Sequence, residues 1–247
     1  MELMGNYLTI QTPEGLMDVY TASLDRSEKL PVVIVLQEAF GVNHHIKDVC
    51  HRLARAGFYA MAPELYHRQG RHVIVEYGDR KDFLPLLGSL TNAGIVSDVL
   101  STIDFLGQLP LADAGRVSTL GFCVGGFSSV LAGMNFSLRG MISFYGAGLS
   151  HSREGIALTP VFSDLGKLRC RSLFFFGGKD ASIPPREVEA IREKLRAEKV
   201  PHDAIVFETS DHGFFCDERK AYDQSAAAEA WKITLEFLKQ VNLFQRA

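Results

Sequence analysis

The chain has 247 residues, 47% of them hydrophobic, which is enough for one large α/β domain with a sizeable core. Its 26 Lys and Arg against 29 Asp and Glu leave a net charge of -3, so no broad basic field for nucleic acid or an anionic membrane is expected. No apolar run reaches the roughly 18 residues of a membrane span, and the first residues lack the pattern of a secretory signal. We expect a single domain over residues 1–247, cytoplasmic, without nucleic-acid or membrane partners.

Two short strand-like runs open the chain, at residues 7–11 and 16–21, and residues 12–15 have the composition of a hairpin turn between them. Residues 31–36 are apolar without alternation, which is typical of a central parallel strand covered on both faces. Asn43 is suited to cap a following helix, which Gly57 would end. The beginning of the chain therefore predicts an antiparallel hairpin leading into a parallel sheet.

A strand is predicted at residues 58–62, and a helix at residues 91–106 from its apolar spacing. Between them, residues 64–90 are polar and contain glycine, and no regular element is assigned to them. Such a stretch is a candidate for an inserted loop or a cap over a pocket. Whether it moves as a lid is not indicated by the sequence.

The most informative segment is Gly-Phe-Cys-Val-Gly-Gly at residues 121–126. A β-branched run precedes it at residues 116–120, and a helix-compatible run follows at residues 127–134. This strand-turn-helix context is that of a nucleophile elbow with Cys123 in the nucleophile position. The alternative is an inert buried cysteine. The other three cysteines show no CxxC spacing, and all four are expected to be reduced.

Further strands and helices alternate after the elbow, so the fold class is α/β, with a mostly parallel central sheet and helices on both faces. The strands are predicted at residues 139–145, 171–176 and 203–207, and the helices at residues 184–199 and 221–238.

Three reactive side chains follow three of these strands: Cys123, Asp180 and His212. Loops at the carboxyl ends of parallel strands meet at one sheet edge. The order nucleophile, acid, histidine is that of an α/β-hydrolase triad. Taken singly, Asp180 could cap a turn and His212 could be a packed or surface histidine. The conjunction in this order favours the triad.

The chain resembles the dienelactone hydrolase family over nearly its whole length. The resemblance rests on residues 37–41, 63–66, 121–126, 145–146, 177–180 and 212–214, with Asn43, Ile46 and Asp48. It implies an α/β-hydrolase fold and a hydrolase of carboxymethylenebutenolidase type. It also implies a triad of Cys123, Asp180 and His212, with an acyl-enzyme intermediate.

The expected roles follow from acyl-transfer chemistry. Cys123 attacks a carbonyl, His212 moves the proton, and Asp180 orients the imidazole. The backbone N–H of Val124 at the elbow is one oxyanion donor, and the family pattern gives that of Ala39 as the second.

The resemblance also gives Glu38 a role. In the family a glutamate at this position contacts the resting thiol and moves away when substrate binds. A carboxylate near a thiolate disfavours the thiolate, so this contact would delay activation. The alternative is a glutamate that ends a strand and points to solvent.

A thiolate leaves a tetrahedral intermediate readily. Acylation of a cysteine therefore goes forward well only when the substrate's own leaving group departs at least as readily, and this restricts the substrate. Lactones, activated esters and thioesters satisfy this restriction, and simple amides do not. A dienelactone carries a carboxylate that an arginine would bind. The family's arginine follows the catalytic histidine closely, where this chain has Phe215 and Cys216. The candidates for substrate binding are Arg80, Tyr145, Phe214 and Arg219.

The expected partner is a small lactone or ester, with no cofactor or metal, and the chain is expected to be a monomer or weak homodimer. Three alternatives remain open. One is a hydrolase of another ester or thioester with the same triad, and another is a non-catalytic binding protein of the same fold. The third is a metal enzyme that uses His44, Asp48 and His51, whose spacing places them on one helix face.

Overall fold

A single eight-stranded sheet organises the computed structural model, which describes residues 2–243. The spatial order of the strands is β1-β2-β4-β3-β5-β6-β7-β8. The strands are β1 Leu3–Thr12, β2 Gly15–Leu24, β3 Leu30–Leu36, β4 Tyr59–Pro63, β5 Ala112–Phe122, β6 Gly140–Phe144, β7 Arg171–Gly177 and β8 His202–Phe207.

The sheet is antiparallel at one side and parallel over the rest. The β1–β2 hairpin and the β2–β4 pair are antiparallel, whereas every pair from β4 through β8 is parallel. Residues Val32 to Leu36 are all fully buried. Because successive side chains of a strand point to opposite faces, both faces of β3 are covered. The predicted fold class, a mostly parallel sheet covered on both faces, is confirmed.

The helices are α1 His44–Arg55, α2 Arg80–Ser89, α3 Asn92–Phe105, α4 Val124–Asn135, α5 Pro185–Ala197 and α6 Gln224–Leu243. The predicted cap of α1 is present, since Asn43 Oδ1 accepts a hydrogen bond from the Ile46 N–H at 3.2 Å. The last helix begins three residues later than predicted. Asp223 accounts for this start, because its Oδ1 accepts a hydrogen bond from the Ala226 N–H at 3.1 Å.

The stretch from residue 64 to residue 90, left unassigned in the sequence, contains helix α2. Pro85 lies inside this helix, and a single residue of it, Leu87, is buried. The helix is thus too weakly amphipathic for its period to show in the sequence. Its Phe83 packs edge-on against Phe40 with ring centroids 5.1 Å apart, which fixes α2 beside the loop after β3.

Among residues 2–243, no helix taken alone has both the length and the apolar character needed to cross a bilayer. One pair of helical segments satisfies those two criteria only when the two are taken together: Arg80–Ser89 and Asn92–Gln108. The chain bends by 75° between them.

Candidate active site

Cys123 occupies the sharp turn between β5 and α4. Its backbone has φ 54° and ψ -116°, a left-handed conformation that a residue with a side chain rarely adopts. Neighbouring glycines allow the turn. A Cβ at Gly121 would lie 1.9 Å from the Gly125 carbonyl oxygen, and one at Gly125 would lie 2.1 Å from the Leu36 carbonyl oxygen. The glycine spacing seen in the sequence is therefore a steric requirement of the elbow.

Asp180 and His212 are joined by a hydrogen bond. Asp180 follows β7 and His212 follows β8, and the His212 Nδ1 and Asp180 Oδ2 atoms are 2.7 Å apart. The other carboxylate oxygen of Asp180 accepts a hydrogen bond from the Ser182 N–H at 2.7 Å. With its carboxylate held at both oxygens and fully buried, Asp180 fixes the orientation of the imidazole.

The electrostatics of His212 connect it to Cys123. Burial alone would lower the pKa of His212. The negative charge and hydrogen bond of the Cys123 sulfur, together with the hydrogen bond and charge of Asp180, outweigh burial and raise that pKa to about 10. His212 is therefore a cation at neutral pH when Cys123 is a thiolate.

Glu38 lies in the interior and does not point to solvent. It is 1% exposed, and its Oε1 accepts a hydrogen bond from Arg219 Nη1 at 3.2 Å. Burial would lower the pKa of Arg219, but the charge of Glu38, together with the smaller contributions of Tyr145, Cys123 and Cys216, outweighs burial and raises that pKa. The Oε2 atom of Glu38 has no hydrogen-bond partner among the described residues. The pair thus joins a buried carboxylate to a partly buried guanidinium, with one carboxylate oxygen still available as an acceptor.

The two residues predicted to supply oxyanion donors, Val124 and Ala39, each line a cavity that Cys123 also lines. Val124 is the first residue of α4, so its N–H is among the helix-initial groups that have no partner within the helix. Ala39 lies in the loop after β3, and its carbonyl oxygen accepts a hydrogen bond from the buried Tyr66 hydroxyl at 3.0 Å. This bond helps to hold the Ala39 peptide in place beside the cavity that it lines.

A cavity of about 620 Å³ brings many of the expected residues together. Its walls are formed by Ala39, Phe40, Arg80, Phe83, Leu87, Cys123, Ala147, Arg153, Glu154, Ile156, Ser182, Asp211, His212, Arg219 and Ala221. Arg80 and Arg219 are both on this wall. Arg219 lines this wall although it lies further from the histidine in sequence than the family's arginine does.

Tyr145 and Phe214, expected to line the pocket, are absent from its wall. Both rings are fully buried. Tyr145 instead packs edge-on against the His212 ring, with centroids 5.0 Å apart, and Phe214 packs against Tyr145 at 5.4 Å. Tyr145 thus supports the imidazole from the protein interior, and Phe214 packs behind Tyr145.

Arg153 is a cavity residue that the sequence reasoning missed. It lies in the loop that follows β6, and its Nη2 donates a hydrogen bond to the Ser182 carbonyl oxygen. No motif surrounds it in the sequence, and a single arginine in an irregular loop carries no signal of its position.

The residues of the metal alternative have other partners. His51 Nε2 lies 2.6 Å from the Tyr20 hydroxyl, and His44 hydrogen-bonds Glu218. Within residues 2–243, the groups whose ligand atoms converge are different ones: His45 with Cys216 and Asp217, and Asp18 with Glu64 and His72. The helix-face set of His44, Asp48 and His51 is not one of these groups.

Together, the sheet, the elbow and the Asp180–His212 pair define a hydrolase with an α/β-hydrolase fold. The dienelactone hydrolase family model matches residues 17–242. The chain belongs to the dienelactone hydrolase family.

Individual relatives agree with this assignment. A Synechocystis protein provisionally named carboxymethylenebutenolidase is 38% identical over 211 residues, covering 82% of each chain. An Escherichia coli K12 protein with the same provisional name is 34% identical, covering 96% of this chain and 88% of its own. A crystal structure from Klebsiella pneumoniae, provisionally assigned as a dienelactone hydrolase, has a TM-score of 0.87 at 31% identity and covers 97% of this chain and 100% of its own.

Proposed function

We propose that this chain hydrolyses a lactone or activated ester through Cys123, with His212 and Asp180 completing a catalytic triad. The observation that carries the proposal is the convergence of Cys123 and His212 on one cavity, with His212 hydrogen-bonded to the buried Asp180. A binding protein would have no need of a strained thiol beside an oriented imidazole.

Acylation begins with transfer of the Cys123 proton to His212. The thiolate attacks the substrate carbonyl carbon, a carbon–sulfur bond forms, and the carbonyl electrons move to oxygen. The N–H groups of Val124 and Ala39 stabilise this oxyanion. The intermediate then collapses, the carbon–oxygen bond to the leaving group breaks, and His212 donates its proton to the departing oxygen.

Deacylation returns the enzyme to its starting state. Neutral His212 takes a proton from water as the water oxygen attacks the thioester carbon. Collapse of the second intermediate breaks the carbon–sulfur bond, releases a carboxylic acid and leaves the Cys123 thiolate beside the His212 imidazolium. Return of the proton from His212 to the sulfur completes the cycle. Asp180 accepts the hydrogen bond of His212 Nδ1 and stabilises the imidazolium. No step needs a cofactor.

Glu38 governs the timing of activation in this scheme. Its Oε1 accepts a hydrogen bond from Arg219, and its Oε2 has no partner among the described residues. The family resemblance implies that this carboxylate accepts a hydrogen bond from the resting Cys123 thiol. Release of that bond on substrate binding would allow the thiol proton to pass to His212. The substrate is a small lactone or ester, and the enzyme acts in the cytoplasm as a monomer or weak homodimer.

Intact mass spectrometry tests the proposal. The wild type is mixed with dienelactone or with a 4-nitrophenyl ester, quenched within milliseconds, and compared with Cys123→Ala. A matched control is Cys170→Ala, which alters a buried cysteine just before β7, at the opposite end of that strand from Asp180. We expect a transient acyl adduct in the wild type and in Cys170→Ala. Equal turnover by Cys123→Ala would contradict the proposal.

A further inference from the structure

A group of potential metal ligands lies next to the active site but outside its cavity. His45, Cys216 and Asp217 each bring one ligand atom to within 4.8 Å of the other two. His45 is the second residue of α1, and the other two belong to the irregular segment that follows His212. None of the three is on the wall of the cavity that Cys123 and His212 share. The group is therefore distinct from the reacting side chains.

His45 is buried with an unsatisfied ring nitrogen. The residue is 3% exposed, and its Nε2 atom has no hydrogen-bond partner among the described residues. A buried polar atom without a partner is unfavourable, and the nitrogen of a neutral imidazole is a common metal ligand. Burial lowers the pKa of His45 and so favours the neutral form. The imidazole thus offers a nitrogen that no described residue satisfies.

The charges around His45 favour a bound cation. The largest charge contributions at its ring come from four carboxylates, those of Glu38, Asp217, Glu218 and Asp48. Each of them stabilises a positive charge at this place. Because burial keeps the imidazole neutral, that charge has to come from a ligand.

Cys216 is supported as a thiolate ligand. Its sulfur lies 3.2 Å from the Tyr77 hydroxyl. That hydroxyl oxygen accepts a hydrogen bond from Asn43 Nδ2 at 2.8 Å, so its own proton is available to the sulfur. The Glu218 backbone N–H is a second donor to Cys216. Outer hydrogen bonds of this kind orient and stabilise the ligands of a metal ion.

The three ligand types select a class of metal ion. A thiolate, an imidazole and a carboxylate together suit Zn²⁺ and similar cations, whereas Mg²⁺ and Ca²⁺ prefer oxygen ligands. Ligand atoms around tetrahedral Zn²⁺ are about 3.5 Å apart, so the three side chains have to approach one another slightly. Asp217 can supply this movement because it is exposed. Its exposure also leaves a path from solvent and room for a water ligand.

We propose that His45, Cys216 and Asp217 form a binding site for a divalent cation of the zinc type, with water as the fourth ligand. On binding, a metal–sulfur bond forms, the S–H bond of Cys216 breaks, and its proton passes to solvent without any change of oxidation state. The site goes beyond the proposed function and does not rest on it, since the cation takes no part in the hydrolysis. It would join the start of α1 to the segment after His212.

Cobalt(II) tests the site, because it binds where Zn²⁺ binds and a thiolate ligand gives it an intense near-ultraviolet absorption band. The titration uses Cys123→Ala throughout, so that the nucleophile thiol cannot act as a ligand. We expect the band to saturate at a single Co²⁺ per chain and to disappear when Zn²⁺ is added. Cys216→Ser should abolish the band, and Asp217→Asn should weaken Co²⁺ binding at least about ten-fold.

His45→Phe keeps a ring against Phe122 but removes both nitrogens, and it should weaken Co²⁺ binding by a similar factor. Cys170→Ala and Asp203→Asn are the matched controls, since they change a buried cysteine and an exposed carboxylate away from the three ligands. Both should bind Co²⁺ as the Cys123→Ala background does.

Three results would overturn the inference. One is the absence of the band in the Cys123→Ala background, and another is an unchanged band in Cys216→Ser. The third is unchanged Co²⁺ affinity in Asp217→Asn, whose exposed position makes a folding defect an insufficient explanation of any loss. Hydrolysis by the wild type is measured separately and does not enter these outcomes.

Discussion

The two sides of the cavity are built differently. On one side, Cys123, Asp180 and His212 follow strands of the central sheet, and backbone geometry and hydrogen bonds fix them. On the other side, Arg80 and Arg153 come from α2 and an irregular loop, and Arg80 is exposed. The proposed reacting groups therefore depend on rigid strand ends, while the two arginines stand on segments that can vary without disturbing the sheet.

The largest loss of activity should come from a change on the side of the cavity that holds Cys123, Asp180 and His212. Asp180→Asn should lower kcat about 10⁴-fold, because the asparagine amide favours the wrong tautomer of His212 while preserving the shape of the site. Steady-state hydrolysis of a 4-nitrophenyl ester measures this loss. Asp203→Asn, which changes an exposed carboxylate at the opposite end of β8 from His212, is the matched control and should stay close to the wild type. A similar loss in both variants would point to a general effect of removing a carboxylate.

The elbow glycines should be the next most sensitive. In Gly125→Ala the new methyl group would meet the Leu36 carbonyl oxygen at 2.1 Å, and backbone cannot move aside as a flexible side chain can. We expect a decrease of about 3 kcal/mol in the free energy of unfolding, at the upper end of overpacking costs, together with loss of activity. Urea denaturation measures the first effect. Gly107→Ala, with no atom within 4 Å of its new methyl group, should be nearly neutral.

The charge coupling between Cys123 and His212 should appear in pH titrations. Since the Cys123 charge helps raise the pKa of His212 to about 10, Cys123→Ala should lower that pKa, as followed by the NMR signals of the imidazole. A raised pKa stabilises the folded state fully below the unfolded value of 6.5, and this contribution disappears as the pH rises through about 10. The variant should therefore lose stability relative to the wild type most below about pH 6.5, and the difference should shrink as the pH rises towards 10. An unchanged His212 titration would disprove the coupling.

The smallest effect is expected at Arg80, one of the candidates for binding a substrate carboxylate. Arg80→Ala should lower kcat/KM for the mono-4-nitrophenyl ester of glutaric acid about three- to five-fold, because an exposed guanidinium is screened by solvent. The methyl ester of the same compound, which lacks the carboxylate, should be unaffected. Lys81→Ala removes an adjacent exposed cation and is the control for a general charge effect. An equal loss for both esters, or an equal loss in Lys81→Ala, would contradict a role of Arg80 in binding the carboxylate.

The same contrast explains what could be predicted from the sequence. The elbow, the cap at Asn43 and the strands follow local rules of sterics and periodicity, so their residues were recognisable. Helix α2 was missed because Pro85 and a single buried residue hide its period. Tyr145 and Phe214 are expected on the pocket wall, although their rings are fully buried, because a sequence does not show whether a ring in a loop after a strand turns towards the pocket or towards the core.

The arginines illustrate a different limit. Arg219 was recognised only as a displaced candidate, and its contact with Glu38 depends on the turn after His212, where Gly213 has φ 83°. Arg153 depends on a tertiary contact with Ser182 that no spacing encodes. Long-range positions of single charged side chains are set by the folded chain as a whole.

The central claim is that Cys123 becomes acylated during turnover. Peptide mapping of the wild type, quenched at steady state with a 4-nitrophenyl ester, tests it most directly. We predict a single thioester-linked acyl group on the peptide that contains Cys123, increasing in amount in Asp180→Asn if deacylation slows more than acylation. An acyl group on Cys50, Cys170, Cys216 or a serine, with Cys123 unmodified throughout turnover, would contradict the account.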